Sequence, residues 1–136
     1  MAAALLDTSV VVRYLTGAPA RLAARAARII DTDRELAVTD VVIAEAAYVL
    51  STVYGVPREA IVDGLVAFLQ RRNVVTLGLD RGAVIQALLL CGPSKRVSFA
   101  DAMIWAAARS ARAGVGYSFD ERFPGTGVDA RRDAPR

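Results

Sequence analysis

AALLDTSVVVRYL, residues 3–15, is the stretch on which the fold turns. Residues 3–6 are a short apolar run, Asp7-Thr8-Ser9 is polar, and residues 10–15 have the make-up of a short helix that Gly17 and Pro19 stop. Strand, turn and helix in so few residues is how a parallel α/β unit begins, and Asp7 sits where the strand ends.

The same grammar continues along the chain. In residues 20–30, Leu22, Ala26, Ile29 and Ile30 form an apolar stripe, while Arg21, Arg25 and Arg28 form a second one. Residues 35–39 read as a second strand, with Thr39-Asp40 capping a helix over 41–54. Pro57 opens another helix, whose stripe is Ile61, Leu65, Phe68 and Leu69. Residues 74–79 are a third strand, followed by a helix over 81–90 with Asp80 at its start. Ser98-Phe99-Ala100-Asp101 resembles a capping box and starts a helix running to 113, and 115–119 is a fourth strand. Alternating strands and helices predict a mainly parallel α/β sheet. The segment from Asp129, with Arg131, Arg132 and Arg136, reads as a frayed basic tail over 129–136 after a domain over 1–128.

Four carboxylates interrupt these apolar segments: Asp7 and Asp120 at strand ends, Glu45 in the second turn of one helix and Asp101 in the first turn of another. Burying an unpaired carboxylate costs several kcal/mol, so the pattern predicts acids withdrawn from solvent around a compensating charge. The chain has no His, and its single Cys91 has no partner for a thiolate site. Oxygen-only ligands suit Mg²⁺ or Mn²⁺. In an open parallel sheet ligands gather beyond the carboxyl ends of the strands, so the four acids meet if the strands of Asp7 and Asp120 are adjacent. Each acid alone also has a structural reading: Asp101 in a capping box with Ser98, Asp7 as the cap of the helix that follows it, Asp120 in a turn before Glu121-Arg122. Glu45, among Val41, Val42, Tyr48 and Val49, has no such ready alternative.

All but one of the 17 basic residues is arginine, and withdrawing four of the 14 acids to a site leaves ten against them on the remaining surface. Such a surface attracts polyanions, although Ala and Arg enriched together also fit biased codon usage. A chain of 136 residues, 54% apolar, is one domain with an ordinary core. One cysteine, no long uncharged span and no basic leader predict a cytoplasmic protein with no membrane segment.

Residues 5–10 (Leu-Leu-Asp-Thr-Ser-Val), Glu45 in Val42-Ile43-Ala44-Glu45, Phe99-Ala100-Asp101-Ala102 and Ser118-Phe119-Asp120 together resemble the ordered acidic motifs of PIN-domain ribonucleases. The compact length resembles the VapC-type toxins of toxin–antitoxin pairs. The resemblance implies a three-layer α/β/α fold with a central, mainly parallel sheet of four or five strands. It also implies Mg²⁺- or Mn²⁺-dependent hydrolysis of RNA, leaving a 5′-phosphate and a 3′-hydroxyl. Asp7, Glu45 and Asp101 match the three core metal-site acids, and Asp120 matches the fourth, more variable one. Thr8 or Ser9 holds the polar position after the first acid, where a hydroxyl caps the helix or holds a metal-bound water. Ser118 replaces the more usual Thr of the last motif.

The expectation is therefore an endoribonuclease, the toxin of a type II pair, with a cognate antitoxin as partner, and Arg21, Arg25 and Arg28 or Lys95-Arg96 positioning the RNA. A homodimer would use the helices over 44–54 and 61–69. The alternatives are a solitary RNA-processing nuclease and a catalytically idle binding module of the same fold. A phosphotransferase with Asp7 as nucleophile usually shows Asp-x-Asp, and position 9 is Ser. Nucleotide-binding glycine loops are absent from the sequence.

Overall fold

Leu36, Ala37 and Val38 are apolar without alternation, the pattern of a strand covered on both faces, and all three are buried in β2 (Leu36–Val38). The computed structural model describes residues 3–135; the first two residues of the expected domain and Arg136 of the expected tail lie outside them. β1 (Ala4–Leu5) and β3 (Val74–Thr76) flank β2 in parallel, in the order β1-β2-β3, with Ala4 opposite Leu36 and Leu36 opposite Val74.

Each parallel step needs a long crossover, and helices supply it. α1 (Thr8–Thr16) and α2 (Ala20–Ile30) join β1 to β2, while α3 (Asp40–Thr52) and α4 (Arg58–Leu69) join β2 to β3. α5 (Arg81–Cys91) and α6 (Phe99–Ser110) lead from β3 to β4 (Val115–Tyr117), which pairs in parallel with β5 (Asp129–Arg131). The result is the expected α/β/α architecture. Its strands, however, do not form one sheet of four or five. They divide into β1-β2-β3 and a separate β4-β5 pair, with no pairing of β1 to β4 among the described residues. β1 is two residues long and offers little edge to pair with. β4 is instead closed over by its own following loop: a Cβ on Gly116 would lie 3.4 Å from Phe123 and 3.5 Å from Val128, both buried.

Residues 129–131 are accordingly not the start of a frayed tail. They are exposed but paired, with the Asp129 amide donating to the Gly114 carbonyl at 2.7 Å and the Ser118 amide to that of Arg131 at 2.9 Å. Other bounds move for local reasons. α1 starts at Thr8, two residues before the expected Val10, because Asp7 caps it, and it stops at Gly17, whose φ of 68° suits a residue without a Cβ. β3 ends at Thr76 because Gly78, with φ of 73°, turns the chain towards Asp80, the cap of α5.

The core lies where the helices close on the sheet and on one another, with α3 packed against α1, α4 and α6, and α5 against α4 and α6. Ala46, Ala47, Ala87, Ala102 and Ala106 are fully buried, and their small side chains let the helices approach closely. The α4 stripe of Ile61, Leu65, Phe68 and Leu69 is spent in this core, each at most 3% exposed, so it offers no surface for a second copy. No helix among the described residues is long and apolar enough to cross a membrane.

Candidate metal centre

Asp7 leaves β1 in an extended conformation, and its Oδ2 accepts two hydrogen bonds from Ser9, from the amide at 3.1 Å and from the hydroxyl at 2.7 Å. These bonds favour the ionised form and hold the carboxyl below the ordinary carboxylate range. The capping reading of Asp7 is therefore correct, and it is the Ser9 hydroxyl, with Thr8 buried, that engages the carboxylate.

Glu45 stands on the open side of α3, opposite the buried Ile43, Ala46, Ala47 and Leu50. It shares with Asp7 a crevice of about 250 Å³, whose wall includes Arg13 and Tyr54. α3 packs against both α1, the helix that Asp7 caps, and α6, the helix that carries Asp101. Asp101 lies in the first turn of α6, its amide donating to the capping Ser98 Oγ at 3.0 Å. Among the described residues no bond returns from the Asp101 carboxylate to Ser98, so only half of the expected capping box forms. Asp120 follows β4, with its amide bound to Ser118 Oγ at 3.0 Å and its carboxylate held by Arg122. Those bonds from Arg122 lower the Asp120 pKa.

The four acids are not withdrawn from solvent as their apolar neighbours suggested. Asp7 and Glu45 are exposed, and Asp101 and Asp120 are half-buried. Strand ends and helix starts open onto solvent at this edge, and unpaired amides at the helix N-termini favour negative charge there, so burial is not what compensates them. The structure brings Asp7 and Glu45 to one crevice. It pairs Asp120 with Arg122, whose pKa is raised by the hydrogen bonds to that carboxylate. No group of three His, Cys, Asp or Glu among the described residues is gathered closely enough to enclose an ion.

The sequence profile described as PIN domain matches residues 4–128. The chain belongs to the PIN-domain family. Its members are generally nucleases that use divalent metal ions, and the α/β fold with parallel strands described above agrees with that membership. Comparison with curated proteins gives no match.

The donors present fit such an ion in kind. They are all carboxylates, and Asp7, Glu45 and Asp101 are free of ion pairs among the described residues. Hard oxygen donors with uncompensated charge are what Mg²⁺ and Mn²⁺ take.

Two residues of this PIN-domain site escaped the sequence reading. Arg13 donates to the Tyr54 hydroxyl and lies 5.9 Å from the centre of its ring, so the pair forms a cationic wall of the crevice. Arg13 follows Ser9 by one helical turn, a spacing visible in sequence; Tyr54, past the end of α3, carried no signal. Arg13 and Ser9 also line a neighbouring groove of about 300 Å³ between α1 and α2, together with Arg25. Of the expected arginine stripe, Arg25 thus lies beside the site, and Arg21, Arg25 and Arg28 are all exposed. Lys95 lines a separate groove between α3 and α6, with Tyr48 and Arg58.

Proposed function

We propose that the chain is a metal-dependent endoribonuclease and the toxin component of a type II toxin–antitoxin pair. The observation that carries the nuclease reading is the pairing of Asp7 and Glu45 in one crevice, free of ion pairs, at the carboxyl edge of a PIN-domain sheet. Asp7, Glu45 and Asp101 would hold Mg²⁺ or Mn²⁺, which supplies a water acidic enough to attack and charge to stabilise the departing oxygen. Glu45, across the crevice from Asp7, completes that set or orients the attacking water. Ser9 fixes the Asp7 carboxylate in one orientation. Arg13, held by Tyr54, faces the same crevice and is placed to bind a phosphate oxygen, while Arg25 continues the cationic wall along the strand. The products are a 5′-phosphate and a 3′-hydroxyl.

The test is cleavage of RNA by the purified chain with Mg²⁺, with Mn²⁺ and with EDTA, repeated for Asp7→Asn and Asp101→Asn. Metal-dependent cleavage lost in both variants supports the reading, and cleavage that survives chelation overturns it. For the toxin role the discriminating observation is a short adjacent reading frame whose product binds the chain and suppresses cleavage. A homodimer, in this reading, uses the outer face of α3, where Val41 is 69% and Tyr48 61% exposed.

A further inference from the structure

Arg58 opens α4, the end of a helix that disfavours a positive charge. Its side chain leaves that helix and reaches the connection between α5 and α6, where the free carbonyls at the end of α5 favour a cation. Nε donates to the carbonyl of Cys91, the last residue of α5, and Nη2 to that of Val97, the residue before the Ser98 cap of α6. The guanidinium carbon also lies 4.5 Å from the ring centre of Phe99, the first residue of α6. One side chain thus ties the two ends of the connection over residues 92–98. Between those ends, residues 93–96 are exposed, and the bond from the Arg96 amide to Ser94 Oγ at 3.2 Å stays inside the connection. Arg58 makes no ion pair among the described residues, so its charge meets these carbonyls and this ring. The arrangement needs arginine, whose flat fork reaches two acceptors and stacks on a ring, where an ammonium is a single point charge.

We propose that Arg58 is a positioning residue for RNA cleavage: it holds the start of α6 in place and, through it, the carboxylate of Asp101. The inference rests on the nuclease reading above and deepens it. Ser98 Oγ accepts the Asp101 amide at 3.0 Å, and Arg58 holds the residue on either side of Ser98, Val97 by its carbonyl and Phe99 by its ring. The cap sets the geometry within the turn, and Arg58 sets where that turn stands against α4 and α5. Without the guanidinium both carbonyls lose their donor, and the connection is free to shift with the first turn of α6 attached to it. The rest of α6 is anchored independently by the buried Ala102, Met103, Trp105 and Ala106, so the change is local.

The experiment is RNA cleavage by the full chain with kcat and KM measured per folded molecule, beside amide hydrogen exchange. Arg58→Ala should lower kcat by at least about 10-fold with KM within about twofold, since misplacing a group by about 1 Å can cost about 100-fold. Ile61→Val, a core truncation on the same helix, should lower the melting temperature and leave kcat unchanged. In the Asp101→Asn background Arg58→Ala should remove no more than about a further twofold, because residues that act as a unit do not add. Exchange should quicken at residues 98–102 in Arg58→Ala and stay parental in the rest of α6. A parental kcat in folded Arg58→Ala overturns the inference and leaves the nuclease reading standing, as does a full 10-fold loss in the Asp101→Asn background or unchanged exchange at 98–102. A parent that cleaves no RNA sinks the nuclease reading and this inference with it. If Arg58→Ala fails to fold, Arg58→Lys decides: it keeps the charge but not the fork, so kcat should fall by at least about threefold, and a parental value overturns the proposal.

Discussion

Asp7 does two things with one carboxylate, capping α1 through Ser9 and contributing charge to the crevice it shares with Glu45. Asn caps a helix as well as Asp but carries no charge, so Asp7→Asn separates the roles. Cleavage should fall by at least about 100-fold, since even partners behind a metal ligand cost 10- to 100-fold when lost, while the melting temperature hardly moves. Asp7→Ala should lose both. Cys91 behaves in the opposite sense to the acids. It is buried on α5, and burial pushes its thiol from the ordinary 9.0 up to about 11. A group whose pKa is raised by folding contributes stability that is complete below its unfolded value and lost as pH rises through its folded one. Thermal unfolding measured from pH 8 to 11 should therefore show stability falling above about pH 9, and Cys91→Ala should flatten that fall. At the residue scale the sequence singled out four acids as candidates, because carboxylates inside apolar runs stand out. It misjudged why they are tolerated, since a one-dimensional pattern does not reveal that a strand end and a helix start both open to water.

Four helices, α1, α3, α5 and α6, start where a side chain accepts one of their end amides. Ser98 caps α6 and so holds the turn that carries Asp101. Ser98→Ala should cost about 1 kcal/mol of stability and also reduce cleavage, read as a lower melting temperature and a lower rate in one variant. The other end of α6 makes a paired prediction. Ala113 donates to the Ala108 carbonyl at 2.9 Å and Arg112 to that of Arg109 at 3.2 Å, the bonding of a Schellman end, in which the left-handed residue is usually Gly. Arg112 takes that place with φ of 55°. Arg112→Gly should raise stability by about 1 kcal/mol, seen as a melting point a few degrees higher, and leave cleavage unchanged because this end of α6 lies away from Asp101. Sequence periodicity placed α2 at its observed bounds, since its two stripes and its flanking Pro19 are local. It ran α6 on to 113, because nothing in Ser-Ala-Arg-Ala announces a left-handed residue that is not glycine.

Across the whole molecule, charge is divided between a carboxylate crevice and arginines on its flanks. Log affinity for single-stranded RNA should fall linearly with log salt, and Arg25→Ala should reduce that slope by about 0.7, the share of one phosphate contact on a single strand. Filter binding at several salt concentrations, with Asp7→Asn protein to prevent cleavage, measures it; an unchanged slope would place the RNA elsewhere. Sequence by itself determined the α/β class, the order of the elements and the acids spaced along them, because strand and helix periods and end caps are written in neighbouring residues. Tertiary structure decided the rest. It divided the strands three and two, paired Asp129–Arg131 with β4, and brought Arg13 and Tyr54 into the wall beside Asp7. These depend on which surfaces meet after the chain has crossed the sheet, and contacts between residues some 40 positions apart leave no period in the sequence to read.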